Sequence, residues 1–65
     1  MPSHVIKSFA YDVEHRTLSV TFLSGRRYRY LDVPAAVHDE LRAAFAKGEF
    51  FNRHIRGRFA WTPDA

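Results

Sequence analysis

The chain has 65 residues, enough for one domain at most, and no cysteine, which excludes disulfides and cysteine-based metal sites. Its formal net charge of +3 is compatible with nucleic acid, an anionic surface or an acidic protein as the partner, and does not choose among them. No apolar run approaches the roughly 20 residues of a membrane span, and residues 1–4 lack the features of a signal peptide. We therefore expect a soluble cytoplasmic protein that contacts no membrane.

Three segments in the first half of the sequence have the alternation, or the β-branched and aromatic residues, that are typical of strands. These segments are residues 5–11, 17–23 and 26–31. In the second segment Leu18, Val20 and Phe22 point to one side, which predicts a strand with one buried face. Ser24-Gly25 is a tight-turn signal before the third segment. The short connections predict an antiparallel meander.

A helical pattern begins after Pro34, a residue that suits the first turn of a helix. The predicted helix covers residues 35–46. Its apolar residues recur at helical spacing, at Val37, Leu41, Ala44 and Phe45. Gly48 is placed to end this helix, because glycine adopts the left-handed conformation that often follows a last turn.

The last third of the sequence has weaker signals. Residues 49–55 predict a short second helix or a 3₁₀ turn, and residues 56–61 an irregular segment or a brief strand. Residues 62–65 are expected to form a frayed end. The whole chain, residues 1–65, is therefore predicted to be a single α+β domain. It consists of a three-stranded antiparallel β-meander with one main α-helix packed on one face, followed by a short helical turn.

These elements resemble the KTSC domain, a short module found alone in bacterial proteins and at the C-terminus of some lysyl-tRNA synthetases. The resemblance spans nearly the whole chain and rests on the order and spacing of Ser3-His4-Val5-Ile6, Tyr11-Asp12, Leu18-Ser19-Val20-Thr21-Phe22, Ser24-Gly25, Tyr28-Arg29-Tyr30, Val33-Pro34, Ala44 with Gly48, Phe51-Asn52 and Ile55-Arg56-Gly57. Two residues depart from the family pattern, since Ala10 stands where Gly is common and Ala46 where Ser is common. The resemblance implies the same fold and a suggested role in RNA binding that has no assigned mechanism.

The third predicted strand alternates cationic and aromatic residues. Tyr28 and Tyr30 share one face of it, and Arg27 and Arg29 share the other. Exposed tyrosines would form a stacking platform for unpaired bases. Buried tyrosines would instead leave the arginines on an open, small-polar sheet face, which can hold a phosphate backbone or a second subunit, or is simply solvated. A two-residue turn pairs Phe22 with Arg27, whereas a longer turn restores its pairing with Tyr28, so the sequence leaves the register open.

A second cationic segment follows the main helix and contains a single acid, Glu49. Its candidates for phosphate contact are Lys47, Arg53, Arg56 and Arg58. Phenylalanines are interleaved with these cations, and we expect Phe51 and Ile55 to anchor the segment to the core. Asn52 is expected either to cap a turn or to hydrogen-bond a base edge. The alternative for the arginines is that they are solvated and have no ligand.

Neither catalysis nor a metal site is indicated. The four histidines fall on separate elements without ligand spacing, and no acid is placed to complete a site. The sequence contains no recognisable nucleophile with a base and an orienting group, and no glycine-rich phosphate loop. We therefore expect no enzymatic activity and no cofactor.

The leading hypothesis is a small non-catalytic module that binds tRNA or another structured or single-stranded RNA through a basic surface. The candidate contacts are Arg27, Tyr28, Arg29, Tyr30, Lys47, Asn52, Arg53, Arg56 and Arg58. Trp61 is a further candidate for stacking if its ring is exposed. This hypothesis rests on the guanidinium groups gathering into one continuous patch, and it fails if they are dispersed around the molecule and neutralised by neighbouring carboxylates. The alternative is a protein-interaction module or homodimer acting through the open sheet face, or an accessory to a larger machine.

Overall fold

Four antiparallel strands and two helices make up residues 6–64, the part of the chain that the computed structural model describes. In chain order the elements are β1 (Ile6–Asp12), β2 (Thr17–Phe22), β3 (Arg27–Tyr30), α1 (Ala35–Ala43), α2 (Lys47–His54) and β4 (Trp61–Pro63). The strands form one sheet in the order β1-β2-β3-β4. The α+β class and the antiparallel meander are confirmed. Val5 of the predicted first strand, Ser3 and His4 of the family pattern, and Ala65 lie outside the described residues.

The prediction of three strands is wrong by one, because β4 completes the sheet after both helices. Thr62 is paired with Arg29 and Trp61 with Tyr30, and the Asp64 backbone N–H donates a hydrogen bond of 2.9 Å to the carbonyl of Arg27. The structure therefore has strand pairing where the sequence predicts the beginning of a frayed end. A three-residue strand is too short for alternation to mark it in the sequence.

A three-residue turn, residues 23–25, connects β2 to β3 and settles their register. The Phe22 N–H donates to the carbonyl of Arg26, and the Gly25 N–H donates to the carbonyl of Phe22, both at 2.9 Å. Gly25 has a φ of 93°, the left-handed conformation that closes such turns and that glycine adopts without steric cost. The turn is longer than two residues, but neither pairing considered for Phe22 is formed, because Phe22 lies opposite Arg26 and Val20 lies opposite Tyr28. Phe22 and Tyr28 nevertheless share one face of the sheet, with ring centroids 6.0 Å apart.

The first helix is shorter than predicted, and the second helix is nearly as long as the first. α1 ends at Ala43, because Ala44 is extended (φ −67°, ψ 137°), and the chain turns before α2 begins at Lys47. Gly48 is therefore inside α2 and does not end α1. Phe45 lies in the link and is fully exposed, contrary to its predicted place on the buried helix face. Pro34 is the N-cap residue of α1, one position before the first turn.

The two helices cover one face of the sheet, and the core lies between them. The buried residues are Leu18, Val20, Phe22, Tyr30, Val33, Leu41, Phe51 and Ile55. The placement of Phe51 and Ile55 in this core agrees with the sequence prediction. The other face of the sheet has no covering element among the described residues, and its strand positions carry Ser8, Ala10, Asp12, Thr17, Ser19, Thr21, Arg27, Arg29 and Thr62. Neither helix in the described part of the chain is long and apolar enough to cross a membrane.

Candidate nucleic-acid interface

Two arginines project from the bare face of the sheet. Arg27 and Arg29 are exposed and lie opposite Thr21 and Ser19 on β2, since alternate strand residues point the same way. Within residues 6–64 neither guanidinium has a carboxylate within 4.0 Å. The bare face therefore presents small hydroxyl side chains beside two cations that are not ion-paired with any described acid.

The two tyrosines of β3 lie on the covered face of the sheet. Of the two arrangements considered from the sequence, the one with buried tyrosines and outward-facing arginines is therefore the one formed. Tyr30 is 6% exposed, and its ring meets the edge of Phe51 with centroids 5.3 Å apart. Burial raises the pKa of Tyr30, the negative charge of a Tyr28 phenolate raises it further, and the nearby Arg56 opposes both effects. Because the faces of Tyr30 are enclosed, this ring cannot serve as a stacking platform. Tyr28 is half-buried and retains some access to solvent.

Trp61, on β4, forms one wall of a cleft beside the tyrosines. We call this hollow of about 210 Å³ the β3–β4 cleft, and it is lined by Phe22, Tyr28, Tyr30, Arg56, Gly57 and Trp61. The Trp61 side chain is 54% exposed, and its ring stands almost perpendicular to that of Tyr28, at 82° with centroids 5.1 Å apart. The cleft thus combines an accessible indole with a guanidinium group.

The chain reaches this cleft through a turn at the end of α2. The Ile55 and Arg56 backbone N–H groups both donate to the carbonyl of Phe51 at 2.9 Å, and Gly57 follows with a φ of 76°. The Arg56 Nη1 donates a 3.2 Å hydrogen bond to Asn52 Oδ1, one helical turn earlier. Asn52 therefore orients Arg56, whereas the sequence suggested a turn cap or a contact to a base.

The remaining cations of the C-terminal segment differ in their partners. Lys47 Nζ donates to the carbonyl of Ala44 at 3.0 Å, where it satisfies the end of α1. Arg53 lies 3.6 Å from Glu49. Arg58 is exposed and, among the described acids, has none within 4.0 Å. Two of the four predicted cations therefore already have partners within the protein. Lys47 is bonded to a carbonyl at the end of α1, and Arg53 is paired with the Glu49 carboxylate.

The guanidinium groups do not form the one continuous patch expected from the sequence, but Arg27, Arg29 and Arg56 are not neutralised, since none of them has a carboxylate within 4.0 Å among the described acids. Arg27 and Arg29 lie on the bare side of the sheet, and Arg56 lies on the helix-covered side, with the edge strand β4 close to both sets. We call the residues that flank this strand the β3–β4 edge, comprising Arg26, Arg27, Arg29, Arg56 and Trp61. The candidate residues are divided between two faces that meet at one side of the molecule.

Sequence reasoning missed Arg26 as a member of this edge. A second, more open hollow of about 340 Å³ is lined by Gly25, Arg26, Arg27, Tyr28, Pro63 and Asp64. Tyr28 lines both hollows, so they flank the same part of β3. The available signal was the Arg26-Arg27 pair directly after a turn glycine, but its meaning depends on β4, which supplies the opposite wall.

A different group of polar side chains meets in the β1–β2 turn. Ligand atoms of Asp12, Glu14 and His15 all lie within 4.8 Å of one another, so acids do lie near a histidine here, whereas the sequence predicts no acid placed to complete a metal site. Asp12 accepts hydrogen bonds from the Glu14 and His15 backbone N–H groups and contacts His15 Nδ1 at 2.8 Å. The bond to the His15 ring lowers the pKa of Asp12. All three side chains are exposed, and these bonds stabilise the turn.

The fold and the site define a small α+β domain with one bare sheet face and an aromatic cleft beside its short edge strand. The chain belongs to the KTSC domain family, whose model matches residues 2–59. A KTSC domain protein from Yersinia pestis has a solved structure that superposes with a TM-score of 0.91 at 34% identity, covering 100% of this chain and 92% of that one.

The sequence relatives include both long and short proteins. A lysine–tRNA ligase of Nostoc punctiforme is 44% identical over 55 residues, which cover 85% of this chain and 10% of the ligase. A protein of Tsukamurella paurometabola is 37% identical over 57 residues, covering 88% of this chain and 85% of that protein. The chain thus spans about a tenth of the length of the ligase it matches, and the activity of the ligase remains a property of that longer protein.

Proposed function

We propose that this protein is a non-catalytic module that binds RNA through the β3–β4 edge. The observation that carries the proposal is the contrast among its arginines. Arg42 and Arg53 lie within 4.0 Å of a carboxylate. The four arginines of the β3–β4 edge, and outside it Arg16 and Arg58, have no such partner among the described acids, so the unpaired guanidinium groups are concentrated at this edge. A guanidinium without an acidic partner can donate two parallel hydrogen bonds to a phosphate.

The position of these groups supports a strand-like ligand. β4 is an edge strand of three residues, so the bare face and the cleft lie on either side of a narrow boundary. A flexible nucleic acid strand can bend across that boundary and place phosphates on Arg27 and Arg29 and a base beside Trp61. The presence of a similar domain in proteins named lysine–tRNA ligase makes tRNA one RNA to test.

The experiment is an equilibrium titration of fluorescein-labelled single-stranded RNA, followed by anisotropy at several salt concentrations. Each phosphate contact contributes about −0.7 to the slope of log K against log salt for single strands. The double variant Arg27→Ala/Arg29→Ala should therefore weaken binding and make the slope shallower by about 1.4.

A matched control removes the same charge from the helices. The variant Arg42→Ala/Arg53→Ala loses two arginines that lie near Asp39 and Glu49, at 4.0 and 3.6 Å. It should keep a slope close to that of the wild type. Absence of binding at low salt, or equal effects of the two double variants, would contradict the proposal.

The alternative of a protein-interaction module or homodimer acting through the open sheet face has less support. The exposed large apolar residues of the described chain are Val13, Leu23, Leu31, Phe45 and Trp61, and the strand positions of the bare face include none of them. Stable subunit interfaces usually have an apolar centre. A dimer mass in solution that survives high salt and is lost in Arg27→Ala/Arg29→Ala would favour this alternative.

A further inference from the structure

The β3–β4 cleft has the features of a site for a single planar ring. We propose that it holds one unstacked nucleobase of a single-stranded RNA, with Arg56 on the adjoining phosphate. This inference rests on the proposed RNA-binding function and goes beyond it, because it distinguishes a single strand from a duplex and assigns the base to one pocket.

The aromatic walls provide the first argument. Trp61 and Tyr28 line the cleft with their rings at 82° and their centroids 5.1 Å apart, so they form a corner. A flat base that stacks on one ring presents its edge to the other, and both the offset-stacked and the edge-to-face arrangements are favourable for aromatic groups. Trp61 is 54% exposed, so a base can reach it without any rearrangement of the core.

The size of the cleft provides the second argument. Its volume of about 210 Å³ is below the roughly 300–1,000 Å³ of pockets that enclose drug-sized ligands. The space suits one ring system. The bases of a duplex are stacked on their neighbours, so only an unpaired and unstacked base can enter.

Arg56 provides the third argument, because it brings a cation to the same cleft. One of its five N–H donors is used by Asn52 Oδ1, at 3.2 Å, which orients the guanidinium and leaves the other donors for a ligand. Gly57, beside it, has no side chain to block the approach of a sugar–phosphate backbone. A base against Trp61 and a phosphate on Arg56 are the two parts of one nucleotide.

The first test compares variants of the cleft in binding to labelled single-stranded RNA. The Trp61→Ala variant loses a stacking contact worth about 1–3 kcal/mol. Its dissociation constant for the RNA should therefore rise about 5- to 150-fold. Trp61→Phe should retain most of the affinity, since phenylalanine also stacks. The control Phe45→Ala removes an exposed ring in the α1–α2 link and should bind like the wild type. An RNA duplex of the same sequence should bind more weakly than the single strand.

The second test uses the wild-type protein and needs no variant. Trp61 is the single tryptophan of the chain, so its fluorescence reports directly on the cleft. Adenosine 5′-monophosphate should quench it in a saturable way, whereas ribose 5-phosphate at equal ionic strength should not. Arg56→Ala should weaken the response to the nucleotide.

The outcomes separate this inference from the proposed function. Two results would show that the cleft assignment is wrong while the RNA-binding proposal stands. One is that RNA binds equally well to the wild type and to Trp61→Ala. The other is that RNA binds but adenosine 5′-monophosphate quenches Trp61 no more than ribose 5-phosphate does. If no RNA binds at low salt, both are wrong. A variant that fails to fold leaves the quenching test to decide.

Discussion

Phe45 and Phe51 are identical residues six positions apart, and the structure gives them opposite environments. Phe51 is 0% exposed and meets the rings of Phe22 and Tyr30 with centroids 5.4 and 5.3 Å away, whereas Phe45 is fully exposed. Phe51→Leu keeps most of the buried volume but loses both aromatic contacts, each worth about 0.5–1.5 kcal/mol beyond its burial. We expect a loss of about 1–3 kcal/mol for Phe51→Leu, and a change within about 0.5 kcal/mol for Phe45→Leu.

The total stability against which these losses count is small. A domain of this length has a free energy of unfolding of about 3–10 kcal/mol. Since 1 kcal/mol shifts Tm by roughly 4–8 °C at this size, Phe51→Leu should lower Tm by about 4–24 °C. Phe51→Ala removes about 3–5 kcal/mol and should lower Tm further than Phe51→Leu does.

Thermal and urea unfolding followed by circular dichroism measure both variants under the same conditions. The wild-type slope of free energy against urea should be retained in each, so that midpoints compare stability alone. Equal losses for Phe45→Leu and Phe51→Leu would refute the burial assignments. Such a result would mean that the Phe45 side chain is buried as well, as the apolar spacing of the sequence predicts.

Two further predictions concern the backbone of the β1–β2 turn and the titration of the core. Arg16 has a φ of 51°, a conformation that costs a residue with a side chain about 1–2 kcal/mol. Arg16→Gly should therefore raise Tm by a few degrees, and Arg16→Val should lower it. A lower Tm for Arg16→Gly than for Arg16→Val would contradict the turn geometry. Because the pKa of Tyr30 is raised on folding, its stabilising contribution is complete below the unfolded value near 10 and is lost as pH rises through the folded pKa. Ultraviolet titration should therefore show a phenol that ionises above its ordinary pKa in the wild type and is missing in Tyr30→Phe. If the phenol lost in Tyr30→Phe has an ordinary pKa, the burial of this ring is contradicted.

The fold was predictable where side-chain periodicity reports directly on burial. The alternation at Leu18, Val20 and Phe22 marks β2, and these residues are buried in the structure. The end of α1 was not predictable in this way, because Ala44 and Phe45 continue a helical apolar spacing and no helix-breaking residue follows until Gly48. The early end of α1 lets the chain turn before α2, and α2 then places Phe51 in the core. Packing between distant parts of the chain therefore overrides the local helical preference.

The candidate site was predictable in its residue types but not in its geometry. The alternation of tyrosines and arginines in β3 fixed which residues share a face, and the length of the turn at Gly25 then decided which face is buried. The separation of Arg27 and Arg29 from Arg56 followed only from the sheet that lies between them. The cleft depends on pairing between Trp61 and Tyr30, a contact between distant parts of the chain that no local pattern reports.

The position of the RNA contact is most directly measured by following backbone amide resonances of the ¹⁵N-labelled protein during a titration with single-stranded RNA at low salt. We expect the largest shifts on residues 26–30, on Asn52, and on residues 56–58 and 61–64, and we expect added salt to reverse them. Shifts concentrated on β1 and α1, or no shifts at all, would contradict the assignment of RNA binding to the β3–β4 edge.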